Sequence, residues 1–204
     1  MRFRAAWFLP RNIDVLGRLS EQLRIVERAV ATVSGWSRGQ STEDAVSELR
    51  EFTRVELEQR RLLNTAIRSS FSTPLEAEDL FEFGELLGEI VQSGYALVRE
   101  ADLSQTGPDP CLRAIVEAIA NGLSPLAEAV RALPQERAAQ LADKSLSLLT
   151  AAEHRYRDAI ADLEGEQDLR QELRPRELYR RCEHLQTATQ EMARRVWYSV
   201  FKTE

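Results

Sequence analysis

Apolar residues recur at three- and four-residue spacing along most of the chain, and this periodicity limits the fold more than any other feature. Such spacing places the apolar side chains on one face of a helix. No segment alternates between apolar and polar residues with the period of two that strands show. The sequence therefore predicts an all-α protein. Six apolar stripes carry the pattern: 16–33, 46–67, 80–97, 112–130, 141–163 and 178–196.

Glycine and proline, which interrupt helices, fall mostly between these stripes. Residues 41–44, STED, predict a helix start with a serine or threonine cap and acids in the first turn. Pro74 is expected at the first position of the third helix, and Pro125 is expected to kink or interrupt the fourth. The breaks predicted between helices are residues 35–41, 72–74, 106–110, 133–134 and 165–175.

The two halves of the chain register on each other. A shift of 96 residues places the first and second stripes on the fourth and fifth, so that Leu16 falls on Leu112. A shift of 98 residues places the third stripe on the sixth. We interpret residues 1–104 and 105–204 as two three-helix repeats packed as one compact unit. Because short connections make sequential helices antiparallel neighbours, each repeat is expected to be an antiparallel bundle.

Composition argues against several classes of protein. The 204 residues include 27 Lys and Arg against 33 Asp and Glu, so no basic excess is present to neutralise a nucleic acid. No apolar run approaches the roughly 20 residues of a membrane span. Cys111 and Cys182 form no C-x-x-C pair, which favours reduced structural thiols. We therefore expect a cytoplasmic protein with no nucleic-acid partner and no membrane insertion.

Polar residues on the inner faces are the first place to look for a site in a helical bundle. Glu56 and Arg60 lie one turn apart in the second stripe, and they predict an ion pair, with a metal-facing Glu56 as the alternative. Glu85 and Glu89 lie one turn apart in the third stripe and are flanked by Gly84 and Gly88. The favoured interpretation is close helix packing over the glycines with both glutamates exposed, and a polar site on the two acids is the alternative.

Each of the two histidines of the chain follows a glutamate, in Glu153–His154 and Glu183–His184. Carboxylates and imidazoles on facing helices could bind iron, zinc or manganese. Adjacent residues point about 100° apart on a helix, so neither pair chelates by itself. A solvated polar face is the favoured interpretation. No nucleophile–base pair, glycine-rich phosphate loop or H-E-x-x-H motif is present, which predicts a protein that is not an enzyme.

Three segments resemble the PhoU-like proteins of the Pit-accessory branch. Residues 71–80, FSTPLEAEDL, resemble the F-x-T-P-x-x-x-E-D-[IL] signature that opens the third helix of that branch. Residues 8–12, FLPRN, are similar to its N-terminal segment, and residues 177–185, ELYRRCEHL, resemble its final helix. The resemblance implies a PhoU-like fold of two pseudo-symmetric antiparallel three-helix bundles with six long helices.

The same resemblance implies a non-catalytic accessory or regulatory role in inorganic phosphate transport. The expected partner is a Pit-type phosphate transporter or a phosphate-signalling protein, reached in the cytoplasm or at the inner face of the membrane. Two alternatives are a metal-binding helical-bundle enzyme, disfavoured because a paired E-x-x-H is absent, and a structural helical module without a phosphate role. Trp197, Tyr198 and Phe201 form an apolar cluster that would serve a homodimer interface or cap the core.

Members of the family carry E-x-x-x-D pairs that hold metal clusters, and here most of those positions are changed. They fall on Thr53 and Leu57, Leu149 and Glu153, Gly88, Glu89 and Gln92, and Glu183, His184 and Thr187. The resemblance leaves four candidate metal ligands, which are Glu153, Glu183, His184 and Glu89. It implies no cluster, no cofactor and at most one weakly bound divalent metal.

Overall fold

The computed structural model of the protein describes residues 14–163 and 169–202, without the side chains of 169–171. Within these ranges the chain forms six α-helices and no strand, which confirms the predicted all-α class. Residues 8–12 and the predicted break at Gly165 lie outside the described part. The helices are α1 (Val15–Ser37), α2 (Thr42–Ser69), α3 (Ala77–Ser104), α4 (Pro110–Ala132), α5 (Arg137–Leu163) and α6 (Leu169–Phe201).

Three of the helices begin at residues whose side chains cap the first turn. Asp14, Ser41 and Asp109 are the N-caps of α1, α2 and α4. Each accepts a hydrogen bond from the backbone N–H three residues on, at 2.7, 3.3 and 2.7 Å respectively. These bonds satisfy helix N–H groups that have no partner within the helix. The helix start predicted at residues 41–44 is confirmed.

The start of α3 differs from the prediction. Pro74 does not occupy its first position, because the helix begins at Ala77 with Glu76 as the N-cap. Leu75, just ahead of the cap, and Leu80, at the fourth helical position, are both buried. This is the spacing of the hydrophobic staple, which fixes the direction in which a chain enters a helix. Burial of Leu75 therefore sets the helix start three residues after the proline.

Two prolines lie inside helices. Helix α4 continues through the buried Pro125, so the predicted interruption does not occur. The break predicted at 165–175 is too long, because α6 begins at Leu169 and includes Pro175. A proline removes one backbone hydrogen bond, whereas a long helix is held mainly by the packing of its apolar face. Buried apolar residues on both sides of Pro125, such as Leu123 and Leu126, account for a fourth helix that continues through it.

The six helices pack in two groups of three that share contacts. Helices α1, α2 and α3 contact one another, as do α4, α5 and α6. Between the groups, α1 contacts α4 and α3 contacts α6. The pairs Glu82–Arg195 and Glu100–Arg181 show that α3 and α6 run antiparallel. The division into repeats 1–104 and 105–204 stays an interpretation that this packing suits. No helix in the described ranges is long and apolar enough to cross a membrane.

A buried carboxylate ties α3 to the end of α6. Asp79 has no exposed surface, and its two oxygens lie 2.7 Å from Arg195 Nη2 and 2.8 Å from Lys202 Nζ. Arg195 also reaches Glu82 at 2.9 Å. Removing one partner from a buried ion pair leaves an uncompensated charge and is strongly destabilising. Asp79, the last acid of the FSTPLEAEDL segment, therefore holds the two groups of helices together.

Candidate functional site

Two of the four predicted metal ligands face one groove between α5 and α6. Glu153 and Glu183 lie on opposite sides of a cavity of about 390 Å³. The other polar side chains that line it are Thr150, Tyr156, Gln186, Thr187, Gln190 and Arg194. Facing helices of a bundle build sites in this way, so the two carboxylates come together as their positions on the fifth and sixth stripes predict.

One of the two carboxylates of this groove already has a charged partner. Glu153 forms an ion pair with Arg157, one turn further along α5. The pKa of the Tyr156 phenol is raised, first by burial and then by the nearby Glu183 carboxylate. The phenol therefore stays protonated at neutral pH and acts as a donor. The groove therefore offers a polar surface with two acids, of which Glu153 is paired with an arginine.

The other two predicted ligands lie elsewhere. His184 is exposed on α6 and is not among the side chains that line the groove. Glu89 is exposed on α3, in the other group of helices. In residues 14–163 and 169–202, no three His, Cys, Asp or Glu side chains are grouped so that they could hold a metal ion. Two carboxylates alone are few ligands for a divalent cation. Weak binding of one metal stays a prediction.

A second polar group is enclosed by α1, α2 and α3. Glu56 has no exposed surface, and Arg60 Nε lies 3.4 Å from its Oε1, so the predicted contact between Glu56 and Arg60 is confirmed. Arg60 makes its shorter contact with Glu85, at 2.6 Å. Gln22 Nε2 donates to Glu56 Oε1 at 2.8 Å and to the Gly84 carbonyl at 2.6 Å. We call Gln22, Glu56, Arg60 and Glu85 the inner polar cluster.

The glycines of α3 make room for this cluster. A Cβ on Gly84 would lie 3.0 Å from Leu63 Cδ2. A Cβ on Gly88 would lie only 2.7 Å from Glu56 Oε1. The predicted close packing over the two glycines is confirmed, and Glu89 is exposed as expected, whereas Glu85 is only partly exposed because it pairs with Arg60. The Glu56 carboxyl group is thus enclosed on the α3 side, where any larger residue at position 88 would collide with it.

Four exposed aromatic side chains lie at one end of the bundle. Phe71 is 93% exposed, and Phe81, Tyr198 and Phe201 are about half exposed. The ion pair between Lys202 and Glu76, at 2.5 Å, places the end of α6 beside the start of α3. We call Phe71, Phe81, Tyr198 and Phe201 the aromatic end.

The aromatic cluster predicted on the last helix lies partly against the core, and a homodimer interface stays a prediction. Trp197 is half-buried against the core, so it caps the core as one alternative expected. Its ring stacks on that of Phe201, with centroids 5.0 Å apart and planes 11° apart. Tyr198 and Phe201 keep large exposed surfaces, which are free to contact a partner.

The two cysteines lie near the junction of α4 and α6. Both thiols are free, Cys182 is buried, and burial raises the pKa of each. A raised pKa leaves little of the reactive thiolate at neutral pH. Beside them Tyr179 Oη donates to Asp109 Oδ2 at 2.6 Å, which ties α6 to the N-cap of α4. These positions agree with the predicted structural role of the thiols.

Within the described residues the protein is all-α, with six helices, and both candidate polar sites lie between helices. No protein-family model matches the sequence, and no curated protein is similar to it. Two crystal structures of proteins from Shewanella oneidensis MR-1 have the same fold, and each match covers 93% of this chain and 100% of the other. One, provisionally named a PhoU-like phosphate regulatory protein, has a TM-score of 0.71 at 15% identity. The other, a PhoU-like protein, has a TM-score of 0.72 at 14% identity. The chain therefore has the PhoU-like fold.

Proposed function

We propose that this chain is a non-catalytic accessory protein that regulates inorganic phosphate transport. The observation that carries the proposal is the match over the whole length of a structure named as a PhoU-like phosphate regulatory protein. The resemblance of residues 71–80 to the family signature supports it independently. The expected partner is a Pit-type phosphate transporter or a phosphate-signalling protein, and the expected location is the cytoplasm, at the inner face of the membrane when a transporter is bound.

The chemistry of the inner polar cluster and of the groove between α5 and α6 supports a role in binding rather than in catalysis. Arg60 is paired with Glu85, and Glu153 is paired with Arg157. The raised pKa of Tyr156 keeps that phenol protonated. A general base needs a free lone pair within reach of a substrate, and these groups are occupied by one another.

The aromatic end is the surface on which we expect the partner to bind. Aromatic residues are enriched at the centres of protein interfaces, where a few of them supply most of the binding energy. Lys202 and Glu76 pair beside these rings, and pairs of this kind suit the polar rim of an interface. The partner contact proposed is with the cytoplasmic side of the transporter.

Co-purification from cells tests both the function and the surface. The wild-type protein, the double variant Phe71→Ala/Phe201→Ala and the matched control Leu103→Ala/Leu148→Ala are each recovered at low and at high phosphate. Leu103 and Leu148 are exposed leucines outside the aromatic end, so the control removes apolar surface of the same kind elsewhere. We expect wild type and control to recover a phosphate transporter or a signalling kinase, and the aromatic variant to recover at least tenfold less.

Two results would contradict the proposal. Wild-type protein that recovers no transport or signalling component at any phosphate level argues against the function. Equal loss in the aromatic variant and the leucine control argues against the aromatic end as the surface and leaves the function standing. Circular dichroism of each variant separates loss of binding from loss of fold.

A further inference from the structure

Two buried oxygen atoms in the inner polar cluster accept no hydrogen bond. They are Glu56 Oε2 and Gln22 Oε1, and both residues are fully buried. A buried acceptor without a donor carries the cost of its lost hydration. The inner polar cluster therefore has fewer hydrogen-bond donors than acceptors, although Gln22 Nε2 already donates to Glu56 Oε1 at 2.8 Å.

One proton on Glu56 would satisfy both oxygens. The amide nitrogen and oxygen of Gln22 share one carbon, as do the two carboxyl oxygens of Glu56. When the two groups are coplanar, a bond from Nε2 to Oε1 brings Gln22 Oε1 and Glu56 Oε2 face to face. A protonated carboxyl group has one O–H donor, which would then point at the amide oxygen. The second N–H of Gln22 is used by the Gly84 carbonyl, so each donor has an acceptor.

The charges around Glu56 favour the protonated form. From its own helix it faces Arg60, from α3 it faces Glu85, and from α1 it faces the neutral Gln22. Arg60 makes a 2.6 Å contact with Glu85 and only a 3.4 Å contact with Glu56. An ionised Glu56 would therefore give two carboxylates to one guanidinium, with no water access to the buried one. Burial raises the pKa of Glu56, against the opposing effects of Arg60 and of the Gln22 hydrogen bond, and Glu85 adds to the rise.

We propose that Glu56 keeps its proton in the folded protein and that its Oε2–H donates to Gln22 Oε1, which closes a two-bond acid–amide pair between α1 and α2. The pair is a proton-controlled joint. When the proton leaves, the acid oxygen loses its donor role and two acceptor oxygens are left without a hydrogen atom between them. Helix α1 then loses the Oε2–H bond to α2, while the bond from Gln22 Nε2 to Glu56 Oε1 and the apolar contacts remain. This device is independent of the proposed role in phosphate transport.

The joint makes a definite prediction for stability against pH. The pKa of Glu56 in the folded protein lies above its ordinary value of 4.5, so the folded state binds this proton more tightly than the unfolded state. Its contribution to stability is then complete below 4.5 and is lost as the pH rises through the folded value. Ordinary acid denaturation, in which paired carboxylates lose their partners as the pH falls, has the opposite sign.

Nuclear magnetic resonance of the wild-type protein labelled with ¹³C-carboxyl glutamate tests the protonation directly. We expect the assigned Glu56 carboxyl resonance to stay at its protonated position at pH 4.5 and to titrate only above it. A Glu56 resonance that titrates at or below 4.5 overturns the proposal. The measurement needs no substitution, so it holds whether or not a variant folds.

The variant Glu56→Gln and the matched control Glu85→Gln test the joint. The side chain of Glu56→Gln has the shape of the protonated acid, and its amide N–H can donate to Gln22 Oε1. We expect the wild-type urea midpoint to fall as the pH rises above 4.5 through the folded pKa of Glu56, and the Glu56→Gln midpoint to lack that fall. Glu85→Gln, which neutralises the more exposed acid, should keep a fall of the wild-type sign. A Glu56→Gln protein with the full wild-type fall would overturn the joint.

Discussion

The two groups of helices fill equivalent positions with opposite chemistry. In the register of the proposed repeat, Glu56 of α2 corresponds to Ala152 of α5, by a shift of 96 residues. Both residues are fully buried. Glu56 rests among Gln22 and the glycines of α3, whereas Ala152 belongs to an apolar core. The architecture therefore does not require a buried acid, and the inner polar cluster is a feature of the first group alone.

The two groups of helices also differ in the side chain that packs against a glycine where two helices approach closely. In the second group this approach occurs at Gly122 of α4, where a Cβ would lie 2.5 Å from Leu149 Cγ. Ser145 Oγ donates to the Gly122 carbonyl at 2.8 Å. The glycine receives an aliphatic side chain there, while Gly88 receives a carboxyl group. In the second group of helices, Glu153 and Glu183 line the open groove between α5 and α6. The first group of helices instead buries Glu56 completely.

The substitution that most directly breaks this comparison is Ala152→Glu. It places a carboxyl group at the counterpart of Glu56, where Tyr156 replaces Arg60 and no glutamine replaces Gln22. Because an unpaired buried charge costs several kcal/mol, we expect a loss of about 4 kcal/mol in the free energy of unfolding at pH 7. Urea unfolding followed by circular dichroism measures it. Ala152→Gln is the control for size, and it should lose clearly less. An Ala152→Glu protein with the wild-type midpoint would show that water reaches the core of the second group of helices.

Two acids at corresponding positions of α3 and α6, Asp79 and Glu177, offer the next test. Asp79 is fully buried and pairs with residues of α6, whereas its counterpart Glu177 is half-exposed and pairs with Arg180 and Arg181 of its own helix. We expect Asp79→Ala to lose about 2–3 kcal/mol, since Arg195 keeps Glu82 as a partner and the loss falls below that of a fully broken buried pair. Glu177→Ala should lose less than about 1 kcal/mol.

Thermal unfolding of Asp79→Ala and Glu177→Ala side by side decides whether burial or mere pairing matters at the α3–α6 contact. The Arg180 hydrogen bond holds the pKa of Glu177 below its ordinary value. Its small contribution is therefore present above the unfolded pKa and fades as the pH falls through the folded one. Equal losses for the two variants at neutral pH would contradict the contrast.

Local rules predicted the helices, and long-range pairing lay beyond them. The three- and four-residue spacing located all six helices because each buries one apolar face. The same rules missed the start of α3, because burial of Leu75 rather than Pro74 sets it. They also gave no reason for Asp79, whose partner Arg195 lies more than 100 residues away in the sequence.

The candidate sites show the same limit. Glu153 and Glu183 were paired from their positions on facing helices, and the groove brings them together. His184 does not join them because neighbouring residues on a helix point in different directions. Gln22 was overlooked although it lies on the apolar stripe of α1, three residues after Leu19. A polar residue on such a stripe is a usable sign of a buried hydrogen bond, because buried polar groups almost always have partners.

The third test concerns the glycine contact of the second group. Gly122→Ala would press a methyl group against Leu149, which is fully buried and cannot move away easily. Overpacking of a core costs about 1–3 kcal/mol, and the better helix propensity of alanine offsets up to about 1 kcal/mol. We expect a net loss of about 1–2 kcal/mol in urea. Gly107→Ala is the control, since a Cβ there meets nothing within 4 Å. A gain in stability at position 122 would mean that α4 and α5 can move apart freely.

The smallest effect is expected for the two acids of the α5–α6 groove, in the double variant Glu153→Ala/Glu183→Ala. The Glu153–Arg157 pair is open to solvent, and such pairs contribute about 0.2–1 kcal/mol, so the midpoint should barely move. Elemental analysis of the protein, purified without a His-tag or chelator, should find less than one equivalent of iron, zinc or manganese in wild type and variant. One equivalent or more in wild type, lost in the variant, would instead give the groove a metal. Glu153 and Glu183 would then form a metal site in the second group of helices, and the two groups of helices would differ in function as well as in packing.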